Sequence, residues 1–407
     1  MMECKHDQRA NKIDLLAGAY RDENGNPYPL PTVIKAFKEI IQEKDVSIFQ
    51  SAPIQGDREF AELLLNLCFG PTNKKLHQTL QDKTIALMHC QGAAHGLFLI
   101  LNVLRRFWQS VRTDVTEIED GQQLKNTVWI SSDTWPEHIL YLDSHQIRYR
   151  PFRYYDLQTH HLDYDGILED LAMLQENDFV LLQPCAHNPT GVDPSKEQWL
   201  GIANLIVERK ARVIFDFAYM GLANGSFEED AYIVRAFLDM NIEFFLTLSC
   251  SKNFGLYSGR VGIAAGLMQS SEKARLIHEN FILNSRLLYK APNNFGSTIV
   301  KRILSSQDLR EAWTNDVKHM ADRLMKMRSR LLEELEKLES KRDWSAILLK
   351  HKGMFSFTGL GKKEADKLVT DYAIHILENG RISVSGITEH NVAAVARGLF
   401  DVTECTI

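Results

Sequence analysis

The sequence lacks several features that would assign it to a common class of protein. Its 407 residues include six cysteines, and no two of them form a Cys-x-x-Cys pair. Scattered cysteines are typical of reduced thiols, so we expect neither disulfides nor a metal site. The longest apolar run, GLFLILNVL, is well short of the roughly 18 residues that a membrane-spanning helix needs. We therefore expect no membrane span.

The sequence also lacks an excess of positive charge. The formal net charge is -6 at pH 7, so the chain offers no basic stripe for nucleic acid and no polybasic segment for a membrane surface. The first residues, MMECKHDQRANK, are polar and contain no apolar stretch that would act as a secretory signal. These observations predict a cytoplasmic protein that acts on a small-molecule substrate.

What the sequence does contain is a regular alternation of strand and helix patterns. The apolar runs are TIALMH, TVWIS, DFVLLQ, RVIFDF, EFFLTLS and VGIAAGL. Most are separated by segments with helical periodicity, which predicts an α/β fold with a mostly parallel sheet covered by helices. After about residue 300, a long charged helix and short apolar pieces predict a second, smaller α/β domain.

Four stretches end predicted strands and then turn into polar loops, namely LLQPCAHNPTG, RVIFDFAYMG, SSDTWPEH and SCSKNFGLYSGR. Taken singly, Lys252 would be a solvated surface charge, Asp216 a structural carboxylate and Trp135 a core residue. The last loop places two hydroxyls, an amine and a guanidinium close together: Ser249, Ser251, Lys252 and Arg260. Such a set is suited to holding a phosphate beside a reactive amine.

In combination, these stretches resemble the aspartate aminotransferases, of the cytosolic type, within the class I pyridoxal-phosphate-dependent aminotransferases. The likeness runs from about Asn11 to about Phe400 and also includes LAGAYRDENGNPYPLP, GMFSFTGL and GRISVSG, in the family's order and spacing. It implies a fold type I enzyme with a large cofactor-binding domain at 29–305 and a small domain at 1–28 and 306–407. The implied reaction is L-aspartate:2-oxoglutarate transamination by a ping-pong cycle through pyridoxal 5'-phosphate. Its substrates would be aspartate, glutamate, 2-oxoglutarate and oxaloacetate.

The resemblance also implies roles around the cofactor. Lys252 matches the lysine that forms a Schiff base and shuttles a proton. Asp216 would keep the pyridinium nitrogen protonated, with His138 supporting it. The residues matching the ring and phosphate contacts are Trp135 (stacking), Tyr219 and Asn188 (phenolate oxygen), Arg260, Ser249 and Ser251 (phosphate), and Gly92 (phosphate loop).

For the substrate, the resemblance implies two arginines. Arg381 matches the residue that clamps the α-carboxylate with a bidentate fork. Arg286 aligns with the arginine that reaches into the neighbouring subunit's site and binds the distal carboxylate, so a homodimer with shared active sites is expected. Gly18 matches the glycine whose backbone lies over the substrate when the small domain closes.

The chain departs from the family at several positions. Ser51 stands where the family has a tyrosine that reaches the partner's cofactor phosphate, and Ala93-Ala94 replaces Gly-Thr in the phosphate loop. Other departures are Gln183 for histidine, Met220 for glutamine and Lys290 for serine. We therefore expect a cofactor-bound enzyme that holds its phosphate less tightly than its relatives do.

Two alternative functions stay open on the sequence. One is a divergent paralogue with weak or no catalysis that acts as a binding or structural protein. The other is a pyridoxal-phosphate enzyme with another amino donor, or with a side reaction such as decarboxylation or racemisation.

Overall fold

The computed structural model describes residues 2–43, 50–108 and 126–404. The strands of these residues are β1 (Ile13–Asp14), β2 (Ile85–Cys90), β3 (Val128–Ser131), β4 (Tyr149–Phe152), β5 (Phe179–Leu182), β6 (Arg212–Phe217), β7 (Phe244–Ser249), β8 (Gly262–Leu267), β9 (Phe355–Phe357), β10 (Ile374–His375) and β11 (Arg381–Ser383). The helices are α1 (Met2–His6), α2 (Pro31–Gln42), α3 (Arg58–Phe69), α4 (Lys74–Gln81), α5 (Gly92–Phe107), α6 (Pro136–Ser144), α7 (Tyr164–Leu171), α8 (Lys196–Glu208), α9 (Phe227–Asp230), α10 (Tyr232–Asp239), α11 (Ser271–Leu288), α12 (Asn294–Ser305), α13 (Gln307–Lys337), α14 (Trp344–Leu348), α15 (Lys362–Tyr372) and α16 (Val392–Glu404).

The larger sheet has the strand order β2-β8-β7-β6-β5-β3-β4. Neighbours from β7 to β4 run parallel, and β8 runs antiparallel to both β2 and β7. Alternate residues face different cores: Val213 and Phe215 pack on one side, and Ile214 packs on the other. Both faces are therefore buried, as a mostly parallel sheet requires. The predicted α/β architecture is confirmed.

The sequence patterns predict six of this sheet's strands but miss β4. That strand contains an arginine and a proline, and Arg150 and Pro151 are exposed. An edge strand pairs on one side only, so it tolerates proline and charge that a central strand would not. Its sequence, YRPF, consequently lacks the apolar pattern of a buried strand.

The remaining sheets join distant parts of the chain. Strand β1 pairs in parallel with β10, so Ile13 lies opposite Ile374. Strand β9 pairs antiparallel with β11, and Arg381 lies opposite Phe357. The N-terminal segment is thus held by the C-terminal part of the chain.

Helix α13 is the long charged helix that the sequence predicts. Its buried residues follow a spacing of three and four, including Trp313, Val317, Met320 and Leu324. That spacing gives the helix one apolar stripe, while charged residues occupy its other face. The indole of Trp313 stacks on Phe254, with ring centroids 4.1 Å apart.

No helix of the described chain is both long and apolar enough to cross a bilayer. Within the same residues, no cluster of histidine, cysteine and acidic side chains is suited to holding a metal ion. Five cysteines are buried free thiols, namely Cys4, Cys68, Cys90, Cys185 and Cys250. The sixth, Cys405, lies outside the described residues.

A glycine in β8 allows the strand to pack closely against the start of α5. A Cβ atom at Gly262 would lie 2.4 Å from the Leu248 carbonyl oxygen and 2.9 Å from the carbonyl carbon of Gly92. These neighbours are backbone atoms of a strand and of a helix start, so displacing them would strain both elements. Only glycine fits this position.

We expect Gly262→Ala to lower the free energy of unfolding by about 1–3 kcal/mol, the usual range for an overpacked core. Urea unfolding of the purified protein measures the change. Gly259→Ala is the matched control, because a Cβ atom there makes only ordinary contacts at 3.4 Å or more. Equal stability of the two variants would contradict this account of the packing.

Candidate active site

A cavity of about 430 Å³ lies at the carboxyl ends of the central strands. Strand β6 contributes Asp216, and the segments after β3, β5 and β7 contribute the polar loops that the sequence singles out. Parallel strands end at the same edge of a sheet, which is why these loops meet. Ten predicted site residues line the cavity: Gly18, Trp135, Asn188, Asp216, Tyr219, Ser249, Ser251, Lys252, Arg260 and Arg381.

Lys252 reaches the cavity from the loop after β7. Its Nζ atom lies 4.9 Å from the centroid of the Tyr219 ring. Burial lowers the pKa of Lys252, and the positive charge of Arg260 acts in the same direction, while Asp216 opposes them. A lysine whose pKa is lowered in this way has more of the neutral amine that acts as a nucleophile or a base.

Asp216 is a buried carboxylate with two donors. His138 Nε2 lies 3.0 Å from one carboxylate oxygen, and the Thr247 hydroxyl donates to the other at 3.0 Å. Burial raises the pKa of Asp216, but the hydrogen bonds and the charge of His138 outweigh it and hold the pKa below its ordinary value. His138 is itself oriented by the Thr134 hydroxyl, 2.7 Å from Nδ1.

Arg381 is the cavity's second fixed cation besides Arg260, and it is only 8 % exposed. Its Nη1 donates to the Asn188 side-chain oxygen at 3.2 Å, and its Nη2 donates to the Leu16 carbonyl at 2.7 Å. The guanidinium lies over the Phe355 ring at 4.3 Å. Its buried Nε has no hydrogen-bond partner among the described residues. A buried guanidinium with an unused donor is suited to a carboxylate ligand.

Asn188 is positioned by a residue that departs from the family. The Gln183 side chain accepts from the Asn188 backbone N–H at 3.0 Å and donates to the Asn188 carbonyl at 2.9 Å. Both residues are buried. This pair of hydrogen bonds fixes the backbone from which the Asn188 side chain reaches Arg381.

The other end of the cavity is suited to a phosphate. Helix α5 begins there at Gly92, so its unpaired N–H groups and positive end face the loop. A Cβ atom at Gly92 would lie 2.8 Å from Arg260 Nη2. Among the described residues, the Arg260 guanidinium makes two long hydrogen bonds at 3.4 Å, to the Ser251 hydroxyl and the Tyr257 carbonyl. The donors fit a dianionic phosphate, although Ala93 and Ala94 add no side-chain donor.

The structure does not bring Arg286 to this cavity. Arg286 is exposed near the end of α11, and Lys290 is exposed just beyond it. Ser51 is exposed as well. Gly18 lines the cavity, and a Cβ atom there would touch the Phe355 ring at 3.8 Å, an ordinary contact. Crowding alone therefore does not require glycine at position 18.

Sequence reasoning missed several lining residues, of which Glu137 and Phe355 matter most for the chemistry. Glu137 stands between Trp135 and His138, and its position in the same loop could have identified it. Phe355 lies in the motif GMFSFTGL, but nothing in the motif itself indicates contact with Arg381.

The chain is similar to proteins of known name over nearly its whole length. A mitochondrial aspartate aminotransferase of Dictyostelium discoideum is 36% identical over 398 residues, which cover 98% of this chain and 88% of that protein. The cytoplasmic aspartate aminotransferase structure from Saccharomyces cerevisiae superposes with a TM-score of 0.91 at 28% identity, covering 100% of this chain and 95% of the other. An aromatic-amino-acid aminotransferase from Burkholderia pseudomallei, covalently bound to pyridoxal phosphate, has a TM-score of 0.89 at 28% identity, with 98% and 95% covered.

The prediction of a cytoplasmic location is wrong. The Dictyostelium relative and the similar proteins from Schizosaccharomyces pombe and Gallus gallus are all mitochondrial aspartate aminotransferases. The polar composition of the first residues does not determine the compartment. The fold carries no information on compartment either, since the yeast cytoplasmic enzyme shares it.

The model of the family "Aminotransferase class I and II" matches residues 10–399. This match and the full-length relatives agree with a cavity that presents an amine, a buried carboxylate and a phosphate-binding end. The chain belongs to the class I and II aminotransferases and is an enzyme of this pyridoxal-phosphate-dependent family.

Proposed function

We propose that the protein transfers an amino group between L-aspartate or glutamate and the matching 2-oxo acids, in a ping-pong cycle. The curated relatives that carry the name aspartate aminotransferase support this assignment. The observation that carries it is Arg381, a buried guanidinium with a free Nε donor in the same cavity as Lys252. An amino acid whose carboxylate binds Arg381 would present its amino group and α-carbon inside the cavity.

Pyridoxal phosphate, when bound, supplies an aldehyde that links to an amine and a ring that accepts electrons from the α-carbon. Lys252 is suited to holding and moving the proton of the α-carbon, since burial favours its neutral amine. Asp216 stays ionised through its bonds to His138 and Thr247, and it can hold a proton on a ring nitrogen beside it. The indole of Trp135 lines the cavity and could stack on the cofactor ring.

We further propose that the chain divides into a large domain at 29–305 and a small domain formed by 1–28 and 306–407. The pairing of β1 with β10 supports this division, because it joins the N-terminal segment to the C-terminal part. Strand β11 carries Arg381, so a movement of the small domain would carry the carboxylate site with it.

Another amino donor is the second candidate. Structural relatives include aromatic-amino-acid enzymes and a broad-specificity aminotransferase from Leishmania mexicana, 31% identical with a TM-score of 0.89. Glu137, a carboxylate that lines the cavity, is the feature that favours this alternative.

Absorption spectra of the protein with pyridoxal phosphate distinguish these candidates. We expect a band that shifts on adding aspartate and returns on adding 2-oxoglutarate. The Lys252→Ala variant should lack the absorption band that the wild-type protein shows before aspartate is added. Its turnover should fall at least a thousandfold, about the scale of losing an essential catalytic group. Lys196→Ala, an exposed lysine outside the cavity, is the control.

A band that ignores aspartate but responds to a neutral amino acid would favour the second candidate. If no band forms with the wild-type protein, the enzymatic proposal fails and a binding or structural role replaces it.

The phosphate end leads to a prediction about cofactor affinity. Ala94 lines the cavity in the first turn of α5 and has no hydroxyl. A hydrogen bond to a charged group contributes about 1.5–3 kcal/mol, so Ala94→Thr should tighten pyridoxal phosphate binding about tenfold or more. Equilibrium dialysis measures the dissociation constant. Ala94→Val has nearly the same shape without the hydroxyl, and equal gains in both variants would contradict the prediction.

We propose a homodimer in which Arg286 completes the neighbouring subunit's site, which its exposure outside the cavity of its own chain supports. Arg286→Asp and Lys252→Ala should each be nearly inactive with aspartate. After subunit exchange between the two variants, hybrid dimers contain one intact site, so about a quarter of the wild-type activity should return in a statistical mixture. No recovery in proven hybrids would show that Arg286 does not act across the interface.

A further inference from the structure

Glu137 is a carboxylate in the cavity that the proposed chemistry does not use. It lies in the first turn of α6, and it lines the cavity together with Trp135 and Arg381. An acidic residue in a first helical turn is favoured by the helix dipole, which explains why glutamate is tolerated there. The dipole does not explain why the Glu137 side chain lines the cavity.

Glu137 is half-buried, and it makes neither a hydrogen bond nor an ion pair with any residue that the structure describes. Two other acidic groups near the cavity have hydrogen-bond partners. Asp216 binds His138 and Thr247, and Asp133 accepts from Ser132. Among the described residues that line the cavity, Glu137 is therefore the carboxylate without a hydrogen-bond or ion-pair partner.

This charge acts on the carboxylate-binding end. Burial lowers the pKa of Arg381, while Tyr219 and Glu137 raise it, and the Glu137 carboxylate borders the same cavity as the guanidinium. The cavity of about 430 Å³ must hold the cofactor as well as the substrate. An amino acid bound on Arg381 would consequently share this cavity with the Glu137 side chain.

We propose that Glu137 is a specificity-determining residue, which disfavours substrates with a second carboxylate and so lets amino acids with neutral side chains compete. The inference rests on the proposed transamination and refines its substrate class. A second carboxylate would lie beside a like charge in a partly desolvated site, where repulsion is weakly screened. A neutral side chain would not experience this repulsion. Aspartate remains a substrate to the extent that Arg286 of the neighbouring subunit offsets the charge.

The test compares binding of two unreactive ligands to the pyridoxal-phosphate-loaded protein by calorimetry. Succinate carries two carboxylates, and 3-phenylpropionate carries one carboxylate and a neutral ring. Glu137→Gln should raise the ratio of succinate affinity to 3-phenylpropionate affinity about three- to tenfold, the scale of one like-charge contact in a partly hydrated site. The ratio of kcat/KM for aspartate to that for phenylalanine should move in the same direction.

Glu169→Gln is the matched control, since it removes the same charge from an exposed residue outside the cavity and should leave the ratio unchanged. If Glu137→Gln does not fold, Glu137→Asn replaces it. A ratio within twofold of wild type, or a lower ratio, would overturn the inference. Turnover tests the proposed reaction separately. If the affinity ratio changes in Glu137→Gln but neither the wild-type protein nor any variant transaminates an amino acid, the proposed reaction is rejected and the charge effect of Glu137 is retained.

Discussion

The site depends on keeping one carboxylate ionised inside the protein. Asp216 is buried at the end of a central strand, where isolation would favour its neutral form. The hydrogen bonds from His138 and Thr247 reverse that preference. A carboxylate without these donors would be costly to bury. The stable negative charge in turn opposes the fall in the pKa of Lys252, so the two groups must be understood together.

The remaining charges of the cavity are separated along its length. Arg260 and the start of α5 make one end positive without any nearby carboxylate from the described residues in contact with them. Arg381 makes the other end positive, but Glu137 borders the same space. The phosphate end is therefore electrostatically simple, whereas the substrate end holds opposed charges.

The sequence predicted the parts of the site that follow directly from strand ends. Lys252 follows an apolar run and Asp216 lies near the end of one, and parallel strands bring such positions to one edge of the sheet. Arg381 lies on a remote strand, so only the family resemblance indicated it. Glu137 could have been identified only through its neighbours Trp135 and His138, since it otherwise resembles an ordinary first-turn acid. Strand β4 has the composition of an exposed edge, so no apolar pattern revealed it. The compartment was predicted wrongly because neither the fold nor a polar start encodes it.

The bond from Arg381 to the Leu16 carbonyl links the carboxylate site to the chain's N-terminal segment. That segment is also tied to β10 through β1, and Gly18 follows within two residues of Leu16. A movement of the Arg381 guanidinium must therefore either break its hydrogen bond to the Leu16 carbonyl or shift the N-terminal backbone with it. Ligand binding at Arg381 and the ordering of that backbone are therefore thermodynamically coupled. Whatever one contributes to the other is returned by the same amount.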